Sequence, residues 1–272
     1  MNMIKTRKWA DMNAPVSLGK EQMLNKVPQL TIYFWIIKIM ATTVGETAAD
    51  LLAVKLNLGL VVAALVVGLL LLVALFVQLH SRKYVPSIYW VAVVLISIAG
   101  TLITDNLVDT FGVPLWVTTV VFAVALCVAF VAWYMLEKSL SVHTIKTTRR
   151  ELFYWSTILF TFALGTAGGD LLAEGAHLGY LYSGLLFAGS IALVTLLYYK
   201  FALNAVVAFW IAYILTRPLG ASLGDLLSQP TANGGLGLGT VVTSAAFFVV
   251  ILALVIFMSE RQDDMQPAAR AA

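Results

Sequence analysis

The sequence predicts an all-α polytopic membrane protein with eight transmembrane helices in two parallel four-helix repeats. Three observations lead there. The 272-residue chain is 61% hydrophobic and only 11% charged, whereas soluble chains carry about 25% charged residues. Eight of its apolar stretches reach spanning length at ~1.5 Å rise per residue. The two halves also repeat each other without a gap: Tyr33-Phe34-Trp35 aligns with Phe153-Tyr154-Trp155, Asp50-Leu51-Leu52-Ala53 with Asp170-Leu171-Leu172-Ala173, and Leu58-Gly59 with Leu178-Gly179.

The elements follow in order. Residues 1–29 are polar and lack the early apolar run of a signal peptide, so they are expected to be a cytoplasmic segment. The first repeat, 30–136, holds spans at 30–50, 58–79, 87–107 and 115–136. A linker at 137–151 follows. The second repeat, 152–258, holds spans at 152–173, 179–199, 203–224 and 237–258, and a polar, disordered tail is expected at 259–272. Spans three, five and seven are interrupted by small or polar residues, which blurs their ends.

Lys5, Arg7, Lys8, Lys20 and Lys26 precede the first span, Arg82 and Lys83 follow the second, Lys138, Lys146, Arg149 and Arg150 follow the fourth, and Lys200 ends the sixth. The opposite loops hold almost only Lys55. The positive-inside rule therefore puts both termini in the cytoplasm, and the expected location is a bacterial inner membrane. These short basic clusters form no coherent face for nucleic acid. Cys127, the single cysteine, excludes an internal disulfide and a multi-cysteine metal site.

The informative pattern is Gly-x-x-x-x-Asp-Leu-Leu. It runs from Gly45 to Leu52, Gly165 to Leu172 and Gly220 to Leu227, with a degenerate copy from Gly100 to Leu107. Asp50 and Asp105 are 55 residues apart, as are Asp170 and Asp225, and the two pairs are offset by 120. An even number of spans per half makes the halves parallel, related by an axis along the membrane normal. The 55-residue offset extends this to four pseudo-equivalent hairpins, with spans one, three, five and seven as an inner ring. Trp35, Trp90, Trp155 and Trp210 recur with the same register and are expected as interface anchors.

A carboxylate beside lipid is costly, so four at one depth mark a functional site. Each lies late in an outward-going helix, where the dipole disfavours anions and a compensating cation is expected. Glu46 with Asp50, Asp105 with Asp109, and Asp170 with Glu174 are four apart and share a face if the helix continues. Such oxygen donors suit hard ions, magnesium, calcium or manganese. The candidate metal set is thus Glu46, Asp50, Asp105, Asp109, Asp170, Glu174 and Asp225. Structural networks or plain helix ends are the alternatives, above all for Asp109 and Glu174. Thr43, Thr47, Thr104 and Thr166 offer hydroxyls, and Asn106 an amide oxygen. Arg217, beside Pro218 inside span seven, reads either as a counter-ion when no cation is bound or as a permanent bridge. Lys38 reads as a charge-balancing residue or as a lysine snorkelling to the inner surface. His177 is a solvated loop residue or an assisting ligand.

Gly-Glu-Thr-Ala-Ala-Asp at 45–50 and Thr-Arg-Pro-Leu-Gly-Ala-Ser-Leu-Gly-Asp at 216–225 resemble a bacterial family of uncharacterised integral membrane proteins, loosely labelled "membrane-anchored". The resemblance covers about residues 25–260. It implies an inner-membrane protein of repeated helices and no particular activity. The expected function rests on the repeats: a divalent-cation transporter, for manganese or magnesium, with export as the expected direction. Protonation of the aspartates would release the ion. A cation channel is the alternative. A structural or partner-binding protein ranks lower. So does an enzyme, since the acids lie away from cytoplasmic nucleotides and no nucleophile motif accompanies them. The expected partners are a divalent cation, protons and the lipid bilayer. No resident cofactor is expected, and self-association into a homo-oligomer stays open.

Overall fold

The computed structural model describes residues 25–270, with side chains through Glu260. The expected N-terminal segment lies outside the described residues as far as 24, Lys5, Arg7, Lys8 and Lys20 included. The protein is all-α, and the described residues form eight long helices: α1 (Ile32–Asp50), α2 (Leu60–His80), α3 (Pro86–Asp105), α4 (Leu115–Glu137), α5 (Thr148–Asp170), α6 (Gly179–Phe201), α7 (Ala205–Ser228) and α8 (Thr240–Arg270). Among the described residues, seven are long and apolar enough to cross a membrane. The eighth, α1, is the helix that carries Lys38, Glu46 and Asp50.

Local chemistry sets the starts. The Thr31 hydroxyl accepts from Phe34 N at α1, Thr147 accepts from Arg150 N at α5, and Asn204 accepts from Val206 N and Val207 N at α7. These are N-caps that satisfy otherwise orphaned donors. Pro86 opens α3 at its first helical position, where its missing N–H is no loss. The cap at Thr147 starts α5 four residues before the expected 152. At the far end, α8 stays helical to Arg270, so the backbone of 259–270 is not the irregular tail expected. Its Glu, Arg, Gln, Met and Ala residues are good helix formers.

Helices α1, α3, α5 and α7 form a closed inner ring, each packing on the next and α7 on α1. The outer helices sit one step round: α2 on α3, α4 on α5, α6 on α7, and α8 on α1. The packing unit is thus an outer helix with the following inner helix, not the sequence hairpin. Outer helices bury little, and Leu65, Leu69, Leu72, Val124, Val128, Leu185 and Val249 are exposed. An apolar surface of this extent has a solvent only in lipid.

Small residues close the ring, four times in one way. A Cβ at Gly45 would meet the Ser97 side chain of α3, at Gly100 the Phe162 side chain of α5, at Gly165 the Arg217 side chain of α7, and at Gly220 the Thr42 side chain of α1. In every copy a glycine five residues before the aspartate receives the residue eight before the aspartate on the next helix. The aromatic floor repeats the cycle: Phe34 packs on Trp90 at 5.7 Å, Tyr89 on Trp155 at 5.5 Å, Tyr154 on Trp210 at 6.4 Å and Phe209 on Trp35 at 5.8 Å between ring centroids. The tryptophans therefore join inner helices rather than anchor at an interface. Trp90, Trp155 and Trp210 are buried, because indoles with the same register around a narrow ring meet each other's neighbours before they meet lipid.

Beyond the floor, at the basic end, a buried clasp joins distant segments. Lys26 Nζ donates to Glu151 Oε2 at 2.6 Å and to Leu79 O at 3.0 Å, and Gln78 Nε2 donates to Glu151 Oε1 at 2.9 Å. Lys26, Gln78 and Glu151 are all buried. Removing one partner of such a pair strands the other. Lys26→Met is expected to lower the unfolding free energy in mixed micelles by about 3 kcal/mol, and Glu151→Leu added to it to return most of the loss.

Candidate functional site

At the end of the ring opposite the aromatic floor, α1, α3 and α5 each widen into a π-helical turn directly after the aspartate: Leu51–Lys55, Asn106–Thr110 and Leu171–Gly175. Each is closed by a bond to the fifth residue back, Leu56 N to Leu51 O at 2.9 Å, Phe111 N to Asn106 O at 3.0 Å and Ala176 N to Leu171 O at 2.8 Å. The chain then turns through a left-handed residue at one shared position, Asn57, Gly112 and His177, with φ of 55°, 68° and 57°. Asparagine, glycine and histidine tolerate that conformation, so backbone geometry alone accounts for His177. The fourth copy differs. Helix α7 stays α-helical to Ser228, and the loop after it folds back, Leu236 N to Leu226 O at 2.7 Å and Leu238 N to Leu227 O at 2.9 Å.

The inner helices stack equivalent residues in layers four apart. The outermost layer is Asp50, Asp105, Asp170 and Asp225, the first three half-buried and Asp225 buried. Four residues deeper come Glu46, Thr101, Thr166 and Ala221, then Thr42, Ser97, Phe162 and Arg217, then Lys38, Val93, Ile158 and Tyr213, and finally the aromatic floor. Helical spacing puts residues four apart on one face, so each layer lines the same axis.

Arg217 breaks the symmetry and holds the layer above it. It is fully buried, and its Nη2 donates to Glu46 Oε2 at 2.8 Å, to Thr166 Oγ1 at 2.7 Å and to Thr101 Oγ1. One position in three repeats thus supplies three oxygens to a single nitrogen from the fourth. Among the described residues, Arg217 Nε and Nη1 have no hydrogen-bond partner. Lys38 is also fully buried. Its Nζ lies 4.1 Å from the Phe162 ring centroid and 4.3 Å from that of Tyr213, with no hydrogen-bond acceptor. The snorkelling alternative for Lys38 is thereby overturned. Its stem points into the ring, where two aromatic faces attract the cation.

Glu46 acts electrostatically on all four aspartates, Asp50 also on Asp105 and Asp225, and Asp170 on Asp225. Asp105 and Asp170 sense the Arg217 charge as well. Asp109 and Glu174 are exposed at the rim, where Tyr180 donates its hydroxyl to Glu174 Oε1 at 3.1 Å. Gln229, the counterpart of Asp109 and Glu174 in the fourth copy, donates to Asp50 Oδ2 at 3.3 Å. Among the described residues, no three carboxylate, imidazole or thiol groups stand close enough to hold one metal ion.

Of the candidate hydroxyls only Thr166 reaches the central cluster. Thr47 donates to Thr43 O and accepts from Ser244, and Thr104 donates to Gly100 O and Ala163 O. Those two tie helices together. Asn106 does the same, donating to Leu60 O at 3.0 Å and Leu102 O at 2.7 Å. Sequence reasoning missed Thr101, Gln229 and Tyr180. The 55-residue register, carried one turn inward from Asp105, points to Thr101, and one turn outward from Asp225 it points to Gln229. Nothing local flags Tyr180.

Fold and site together define a polytopic helical membrane protein built from a fourfold internal repeat, with buried charged side chains converging on its axis. The chain belongs to the family described as Repeat of Unknown Function (DUF347), whose repeat matches residues 33–84, 88–139, 153–203 and 208–262. Each match spans one inner helix and the outer helix after it. No curated protein and no solved structure matches the chain.

Proposed function

We propose that this protein is a membrane cation transporter whose acidic mouth is the ring of Asp50, Asp105, Asp170 and Asp225. The observation that carries the reading is the Arg217 Nη2 position, held by Glu46, Thr101 and Thr166 beneath those carboxylates. Half-buried carboxylates at the ends of three helices need positive charge, and for Asp105 and Asp170 that charge comes from Arg217, one residue of one repeat. In this reading all eight helices cross the bilayer, the two halves run parallel, and both ends lie on the basic, cytoplasmic side of an inner membrane.

The cargo is a hard cation, manganese or magnesium on oxygen-ligand chemistry. Binding draws the aspartates and Glu46 inward from their present separations, and protonation of the same carboxylates releases the ion. Asp109 and Glu174 attract cations at the rim. The axis below the acids is filled by Arg217, Lys38, Phe162, Tyr213 and the aromatic floor, where Tyr89 and Tyr154 hydrogen-bond between the adjacent helices α3 and α5 at 2.5 Å. That filling favours alternating exposure over a continuous pore.

Reconstituted flux of manganese, magnesium, calcium, sodium and potassium, with and without a pH gradient, tests the proposal. Wild-type vesicles are expected to show selective flux driven by the gradient. The Asp50→Asn, Asp170→Asn double variant is expected to be at least about tenfold slower, the loss typical of disturbing an ion's surroundings. Equal flux from the double variant would remove the acids from the pathway. Discrete single-channel currents would transfer the reading to a channel.

A further inference from the structure

The three oxygens around Arg217 Nη2 are arranged as ligands. Thr101 Oγ1 donates to Ser97 O at 3.3 Å or to Glu46 Oε2 at 3.4 Å, and Thr166 Oγ1 donates to Phe162 O at 3.2 Å. Arg217 Nη2 can only donate, so each hydroxyl accepts from it, as Glu46 Oε2 does. One carboxylate and two hydroxyls, from α1, α3 and α5, make a preformed oxygen cage of single negative charge.

The occupant is not a typical structural arginine. Such a residue grips a carboxylate through two parallel N–H bonds. Here one nitrogen makes every contact, at 2.7 and 2.8 Å to Thr166 and Glu46, while Nε and Nη1 are buried without partners. The cage thus holds one tip of the delocalised cation, Nη2, and not the whole fork. The fourth equivalent position is Ala221, which is buried and adds no ligand.

We propose that Glu46, Thr101 and Thr166 form an inner site for one monovalent alkali cation, which Arg217 occupies as a built-in substitute. Charge selects the valence. Exchanging a guanidinium for sodium or potassium leaves the cage neutral, whereas a divalent ion leaves it positive in a medium where that is costly. The site lies one layer below the aspartates, so a bound alkali ion and the cargo in the acidic mouth act on the same Glu46. The inference deepens the transporter reading and rests on it for ion access to this depth. Its test measures binding rather than flux, so the two fail separately.

Full-length protein in detergent is unfolded by heat in sodium chloride, potassium chloride and choline chloride at equal ionic strength. The variants are Arg217→Met, which keeps much of the side-chain stem, and Arg217→Ser, which adds a hydroxyl. Wild type is expected to melt at one temperature in all three salts. Each variant is expected to gain a saturable rise of about 5 °C in sodium or potassium over choline, and Glu46→Gln added to either is expected to abolish it. The proposal is overturned if folded variants melt alike in all three salts, if wild type shows the same rise, or if the rise survives Glu46→Gln. Failure of both variants to fold in any of the salts also overturns it, because an ion in the cage should replace the missing charge.

Discussion

Glu46→Leu is expected to destabilise the protein by about 3–5 kcal/mol, the range for stripping one partner from a buried ion pair. Arg217 is fully buried, and among the described residues Glu46 is the sole carboxylate it touches. With leucine in place, the guanidinium keeps only two threonine hydroxyls within the apolar ring. The loss follows from stranding a charge, so removing that charge should return most of it: Glu46→Leu with Arg217→Met is expected to recover at least half. Equilibrium unfolding in mixed micelles of the four proteins of the cycle measures the coupling. Additive losses would mean that the pair contributes nothing as a pair.

Gly165→Ala is expected to cost about 1–3 kcal/mol, the usual penalty for overfilling a packed interior. The added carbon would lie 2.4 Å from Arg217 Cγ, 2.6 Å from Arg217 Cβ and 3.0 Å from Pro218 Cδ. These neighbours are the base of a side chain and a proline ring, which have little room to yield. Arg217 must shift with α7, so Nη2 leaves its three oxygens and the variant should also lose flux. Gly68→Ala on α2 is the control. No atom lies within 4 Å of its new carbon, and alanine is the better helix former by about 1 kcal/mol, so this change should be neutral or stabilising. A comparable loss at both positions would deny that the inner helices meet through their glycines.

Much of this was legible because a repeat converts sequence distance into spatial equivalence. The 55- and 120-residue offsets placed Asp50, Asp105, Asp170 and Asp225 in one layer, and the ring contacts of Gly45, Gly100, Gly165 and Gly220 bear the inner ring out. The site needed the same register applied further. Glu46 and Thr166 are candidates on sequence alone, whereas Thr101, which stands before Asp105 as Thr166 stands before Asp170, is singled out only when the register is carried one turn inward in every copy. The tryptophans were misread for a related reason: an aromatic residue near a helix start suits an interface by itself, and only its counterparts on the other three helices make it part of a floor. Two features had no sequence signature. The π-helical turns depend on which carbonyl a backbone N–H selects, and the stacking of each outer helix on the following copy depends on how the connecting turns direct the chain.

That last feature makes the ring seamless. Helix α8 covers α1 as α2 covers α3, so no copy is structurally first or last. Helix α1 begins at the face where α8 ends. A circularly permuted chain, with its old ends joined by a flexible linker and new ends opened between Phe201 and Ala205, should assemble the same bundle.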